Sequence, residues 1–89
     1  RVRVPAWLPD TPEVRADLLD YYFEVERLDR DLGTALRVLE ARGELQNTIV
    51  VVTSDNVMPF PRAKATLYDA GCRVPLVVWA PGRFRAGQR

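Results

Sequence analysis

The chain contains no histidine, a single cysteine and a single lysine. Without histidine, and with only Cys72 as a sulfur ligand, a self-contained zinc site is excluded, because zinc sites draw on several nitrogen or sulfur donors. Cys72 has no partner for an internal disulfide, so no covalent framework supports so small a chain, and the lone thiol does not identify a compartment. It also lacks a histidine to activate it, which argues against a thiol nucleophile. No run approaches the roughly twenty apolar residues that a membrane span needs. Formal charge is only +1, so no strong global field recruits nucleic acid or anionic lipid. Methionine occurs once, at Met58, and the first residue is Arg1, which leads to the expectation of a piece of a longer product.

What is present has an ordinary globular character. Hydrophobic residues make up 47% and charged residues 28%, a balance that argues against disorder or a fibrous repeat. Eighty-nine residues suffice for one small domain at most, here residues 1–89 as a single partial domain, since a large two-sided α/β domain does not fit in that length. Charge is unevenly spread: Glu13 to Arg42 holds eight acids against five arginines, and the remainder holds eight bases against four acids. A basic remainder mildly suits an anion site, although surface charge is commonly just solvated.

Pro5 to Pro12 holds three of the seven prolines and reads as an extended lead-in that stops at a helix start. Asp10 or Thr11 can cap that helix, with Pro12 in its first turn and Glu13 near the positive end of its dipole. Asp10 with Glu13 also fits an acidic capping box. Val14, Leu18, Tyr21, Tyr22, Val25, Leu28, Leu32, Leu36 and Leu39 then recur at three- or four-residue steps, one apolar stripe on a helix from about Pro12 to Arg42. Gly33 interrupts it at a cost of roughly 1 kcal/mol relative to alanine, and Gly43 is placed to end it. Tyr21, Tyr22 and Phe23 read as core packing, with an aromatic binding face as the alternative.

Two short apolar runs follow, Ile49 to Val52 and Val74 to Trp79. Both are rich in β-branched residues and apolar on both faces, so they read as central strands of a mostly parallel sheet covered on each side. Between them, Pro59, Pro61 and Gly71 mark a turn-rich connection in which no helix is placed. One long helix cannot cover both faces of such a sheet, which implies either an incomplete domain or an intimate homo-oligomer.

In open α/β sheets, ligands collect at the carboxyl ends of strands, where loops converge. Asp55 and Asn56 stand at that end of the first strand. A carboxylate beside a carboxamide offers two hard oxygen donors, suited to Ca²⁺ or Mg²⁺. The competing reading is structural, with Asp55 capping the next turn and Asn56 taking a left-handed conformation. Lys64 is the one exception among twelve arginines. An ammonium acts as a compact point charge where guanidinium acts as a planar fork, so Lys64 is either a site cation or a solvated loop residue. Arg73 can pair with a carboxylate near the site or cap the second strand.

These residues carry a family resemblance. "LQNTIVVVTSDNVMPFPRAKATLYDAGCRVPLVVWAPGR", Leu45 to Arg83, resembles the later part of a sulfatase catalytic domain, within the alkaline phosphatase superfamily. The preceding "LPDTPEVRADLLDYYFEVERLDRDLGTALRVLEARG" resembles the long helix that leads into it, so the likeness runs from Leu8 to Arg83. The "MPFPRAK" wording is most similar to heparan N-sulfatase-like (sulfoglucosamine sulfohydrolase-like) members. The resemblance implies a partial alkaline phosphatase-like α/β sandwich and hydrolysis of sulfate esters or sulfamates, on a sugar as the sulfated partner. It further implies Asp55 and Asn56 as two ligands of a divalent cation, normally Ca²⁺ with Mg²⁺ as the alternative, and Lys64 as the basic residue that contacts the sulfate.

Three departures from the family pattern stand out. Val57 follows Asp-Asn where the family usually has glycine, and Ala65 follows the lysine where glycine is again usual. The family's nucleophile, a formylglycine made from the Cys or Ser of a "C/S-x-P-x-R" motif, has no match, and "CRVPL" at Cys72 does not fit it. The paired aspartates that complete the family's metal site, and its histidines, are also absent. The 89 residues alone are therefore expected to be inactive, with the N-terminal part of the domain missing. Two alternatives remain: a noncatalytic remnant acting as an oligomerising or binding module, and a phosphatase or phosphodiesterase of the same superfamily, against which the lack of histidine counts.

Overall fold

The structure is a computed structural model, which describes residues 2–84 and 87. Its first element, α1, spans Pro12–Ala41, within one residue of the expected helix. Thr11 is the cap: its Oγ1 accepts a hydrogen bond from the Val14 amide at 3.3 Å. Asp10 is drawn elsewhere, gripping Arg15 through two bonds of 2.6 Å while Arg15 Nη1 donates to the Val2 carbonyl at 2.9 Å. That fork ties the proline-rich lead-in to the helix. At the far end Gly43 takes φ 71°, its amide donates to Glu40 O, and the Glu44 amide reaches Leu39 O, each at 2.9 Å. These paired bonds form a Schellman closure, which needs the left-handed residue that glycine supplies most cheaply.

After a 3₁₀ turn at Leu45–Asn47, β1 covers Val50–Thr53 and β2 covers Leu76–Trp79. Between them lies a short helix, α2 at Asp69–Cys72, in the connection where the sequence places none; a single turn is too short to leave a periodic apolar pattern. The α/β composition is as expected. The parallel arrangement is not what the chain forms: β1 and β2 pair antiparallel, with Val50 opposite Trp79 and Thr53 opposite Leu76. A parallel pair needs a crossover that carries the chain back to the starting end of the sheet. The connection here holds only the four residues of α2 as regular structure, so the chain turns back alongside β1 in the opposite sense. Thr53 Oγ1 extends the pairing by donating to Pro75 O at 2.9 Å.

Expected burial on both faces is also absent: β1 alternates half-buried Val50 and Val52 with exposed Val51 and Thr53, and β2 is exposed throughout. Val51, Leu76, Val77 and Val78 are each at least half exposed, because the single helix does not lie on the sheet. α1 contacts the 3₁₀ turn, and no packing between α1 and either strand occurs among the described residues. Among the described residues, only Leu8, Leu18, Ala63 and Ala80 are buried hydrophobics. Of the apolar stripe, Leu18 is buried and Tyr21 half-buried, whereas Tyr22, Val25 and Leu28 are exposed. Tyr21 meets Phe60 edge to face, ring centroids 6.3 Å apart, and so pins the middle of α1 to the loop after β1. Tyr22 and Phe23 remain uncovered. No helix among the described residues is long and apolar enough to cross a membrane.

Candidate functional site

β1 ends at Thr53, and the chain bends at Asp55 and Asn56 immediately beyond it. Ser54 Oγ donates to the Asn56 carbonyl at 2.5 Å, closing the bend over Asp55. The structural alternative for this pair is not realised. Asp55 caps no turn and makes no side-chain hydrogen bond or ion pair among the described residues, and its residue is exposed. Asn56 is half-buried and is not left-handed: among the described residues, the non-glycine positions with positive φ are Arg62 and Ala65. The pair therefore leaves two hard oxygens without an internal structural partner, at the end of a strand.

Lys64 lies nine positions beyond Asp55, exposed on the turn of residues 61–65. It follows Ala63, which is fully buried, and precedes Ala65 at φ 61°. Arg62, also at φ 61°, enters the turn from the other side. A left-handed backbone costs an L-residue roughly 1–2 kcal/mol, so two such residues in one turn require that surrounding contacts hold it. They do: the Ala63 amide donates to Phe60 O at 3.1 Å, and Thr66 Oγ1 donates to Ala63 O at 2.8 Å. No hydrogen bond or ion pair joins Lys64 to Asp55 or Asn56 among the described residues.

The two family glycine positions behave differently. Ala65 keeps the left-handed backbone that favours glycine, whereas Val57 does not have a positive φ and carries no such strain. Arg73 pairs with neither candidate ligand. Its Nε meets Asp69 Oδ1 at 3.1 Å in a fully wetted pair across one turn, an arrangement worth little to stability. Cys72 is a free, exposed thiol.

As a metal site the chain is partial. Hard oxygens from one carboxylate and one carboxamide suit a cation such as Ca²⁺, but a complete site takes about six to eight oxygens. No group of three or more His, Cys, Asp or Glu residues is gathered among the described residues. Asp55 and Asn56 fit such a cation in type and fall short of it in number.

The backbone packing around Lys64 was not visible in the residue pattern. Gly71 sits inside α2 with its Cα against the Ala63–Thr66 backbone, and Arg62 adopts its left-handed form without being asparagine or glycine. The sequence reads Gly71 only as a turn marker, and no residue pattern around it signals this close approach.

The chain is similar to known proteins along nearly its whole length. A family described as Sulfatase matches residues 5–89. Human N-sulphoglucosamine sulphohydrolase is 44% identical over 80 residues, covering 90% of this chain and 16% of that protein. An ulvan-active sulfatase of Formosa agariphila is 33% identical over 86 residues, covering 97% of this chain and 14% of its own length. Mouse N-acetylgalactosamine-6-sulfatase is 34% identical over 77 residues, 72% of this chain and 15% of that protein. The chain thus spans only about one sixth of the length of these relatives. No solved structure matches it. The family match over residues 5–89, with a relative 44% identical over 90% of the chain, establishes that the chain belongs to the sulfatase family.

Proposed function

We propose that this chain supplies part of the catalytic site of a sulfatase that hydrolyses sulfate esters or sulfamates on a sugar. The observation that carries the reading is the pair of internally unpartnered oxygens at Asp55-Asn56, delivered by β1 shortly before a turn that presents Lys64 to solvent. The relatives' names span both linkages, a sulphoglucosamine sulphohydrolase and an N-acetylgalactosamine-6-sulfatase. Asp55 and Asn56 would hold a divalent cation, Ca²⁺ in preference to Mg²⁺. When bound, that ion supplies Lewis-acid charge to sulfate oxygens. Lys64 contributes a second positive charge, offsetting the negative charge that develops as the bond from sulfur to the sugar oxygen or nitrogen breaks.

The remaining ligands and the nucleophile come from outside these 89 residues, in the rest of an alkaline phosphatase-like sandwich. Further strands and helices of that domain would cover the sheet faces left bare here. The gene encoding the chain is accordingly expected to specify a "C/S-x-P-x-R" motif elsewhere in the same protein, and the isolated chain to be inactive. In the full-length protein, Asp55→Ala and Lys64→Ala should each lower kcat/KM on a sulfated sugar by about 10²–10³-fold, the usual consequence of removing one transition-state charge contact. Unchanged turnover in both variants would overturn the assignment. A noncatalytic binding module is the second reading, favoured by the exposed sheet and the two-ligand count. Calorimetric Ca²⁺ titration of the full-length protein separates the two: a complete site binds stoichiometrically and loses affinity on Asp55→Ala, and a remnant shows neither.

A further inference from the structure

Gly71 is placed where no other residue fits. A Cβ built on it would fall 2.6 Å from Ala63 O and 2.6 Å from Thr66 Oγ1, and closer still to the Thr66 carbonyl. Two of these three atoms belong to backbone, so a flexible side chain cannot simply move aside. The atoms it meets lie at the two ends of the short segment Ala63-Lys64-Ala65-Thr66. That segment is already bridged by the Thr66 hydroxyl on Ala63 O, is anchored by a fully buried Ala63, and is bounded by left-handed residues at Arg62 and Ala65. Gly71 in turn is fixed by its amide, which donates to Tyr68 O at 2.7 Å.

We propose that Gly71 is a positioning residue for Lys64: by admitting α2 against both ends of the Ala63–Thr66 segment, it fixes the backbone from which the ammonium projects. The inference rests on the reading of Lys64 as the sulfate contact. Any side chain at 71 pushes the segment away from α2 and displaces Lys64, while Asp55 and Asn56, on a separate bend, keep their place.

A double-mutant cycle in the full-length protein, read as kcat/KM on a sulfated sugar, tests the link, because residues acting through one contact give non-additive losses. Gly71→Ala should lower kcat/KM at least tenfold and Lys64→Ala at least a hundredfold, with the double variant within threefold of Lys64→Ala alone. The rise in thermal midpoint on adding Ca²⁺ should survive in Gly71→Ala, which a general loss of folding would abolish. Site-resolved acylation gives a readout independent of turnover: inorganic sulfate should protect the Lys64 amine in the native protein and not in Gly71→Ala. Should Gly71→Ala fail to fold, Thr66→Ala decides. It removes the hydroxyl bridge without adding bulk, and it should lose at least threefold in kcat/KM, a loss that vanishes in the Lys64→Ala background. Native turnover in the folded glycine variant, or losses that multiply, would overturn the positioning role alone. Full activity in Lys64→Ala would remove the reading of Lys64 itself, and the positioning role with it.

Discussion

Ala65 holds φ 61° without being glycine, and Val57 has no positive φ; that difference makes glycine substitutions at the two positions predictable in opposite directions. Left-handed backbone costs alanine roughly 1–2 kcal/mol, while replacing alanine by glycine costs roughly 0.5–1 kcal/mol through the unfolded chain. The first effect is the larger. Ala65→Gly should therefore stabilise the full-length protein by about 0.5–1 kcal/mol, seen as a higher denaturation midpoint at unchanged slope. Val57 carries no positive φ and is half-buried, so Val57→Gly should destabilise by at least about 0.5–1 kcal/mol through backbone entropy alone, with lost apolar contact added. A stabilising Val57→Gly would mean that its backbone strains toward the conformation glycine prefers. At this scale the sequence was legible for identity and blind to conformation. Asp55, Asn56 and Lys64 could be picked out as a carboxylate, an amide and an isolated ammonium. Nothing in the letters marked Arg62 as left-handed, because its conformation comes from contacts made by Ala63 and Thr66.

At the scale of elements, α1 was readable because its signals are local: Thr11 and Pro12 at one end, Gly43 at the other, and an apolar period between them. The direction of the strands was not. Valines on both faces report that a strand wants cover, and they say nothing of which way its neighbour runs. That is decided by the connection, residues 54–75, which is long enough for a crossover but holds only a four-residue helix and returns the chain alongside β1 instead. The N-terminal cap of α1 carries a pH-dependent element as well. Hydrogen bonding to its own backbone amide, and then to the Thr11 hydroxyl, holds the Glu13 carboxyl below its ordinary value of 4.5. A depressed carboxylate contributes stability that is present above the unfolded value and lost as pH falls through the folded one. Thr11→Ala should cost about 1 kcal/mol near neutrality by removing the bond to the Val14 amide. It should also shrink the loss of stability on acidification below pH 4.5, because one of the two bonds favouring the charged form of Glu13 is gone. Denaturant titrations of the full-length protein and its Thr11→Ala variant at neutral and acid pH measure both effects, and parallel pH profiles would show that Thr11 does not support Glu13.

For the molecule as a whole, the surface is the decisive quantity. A compact protein of 10.1 kDa would expose about 5,300 Å², yet this chain exposes 7636 Å². Its radius of gyration is 16.6 Å, against about 12 Å for a compact domain of equal length. The excess of about 2,300 Å² on one side exceeds the roughly 800 Å² that each partner contributes to a standard interface, and much of it is apolar, including Leu76, Val77 and Val78 on β2 and Phe23 and Leu28 on α1. An extended shape with one long axis of 48 Å and bare sheet faces is what a slice through a larger α/β layer looks like. A weakly associating pair of copies would cover only a fraction of it. Expressed alone, the 89-residue chain should therefore bind a hydrophobic dye and associate with rising concentration in sedimentation, without a cooperative thermal transition. Supplied with the remainder of its catalytic domain as a separate polypeptide, it should lose dye binding and sediment as a single stoichiometric complex. If the isolated chain instead sediments as a compact monomer and melts cooperatively, the bare faces cover one another in solution and the docking of the rest of the domain is no longer needed to account for them.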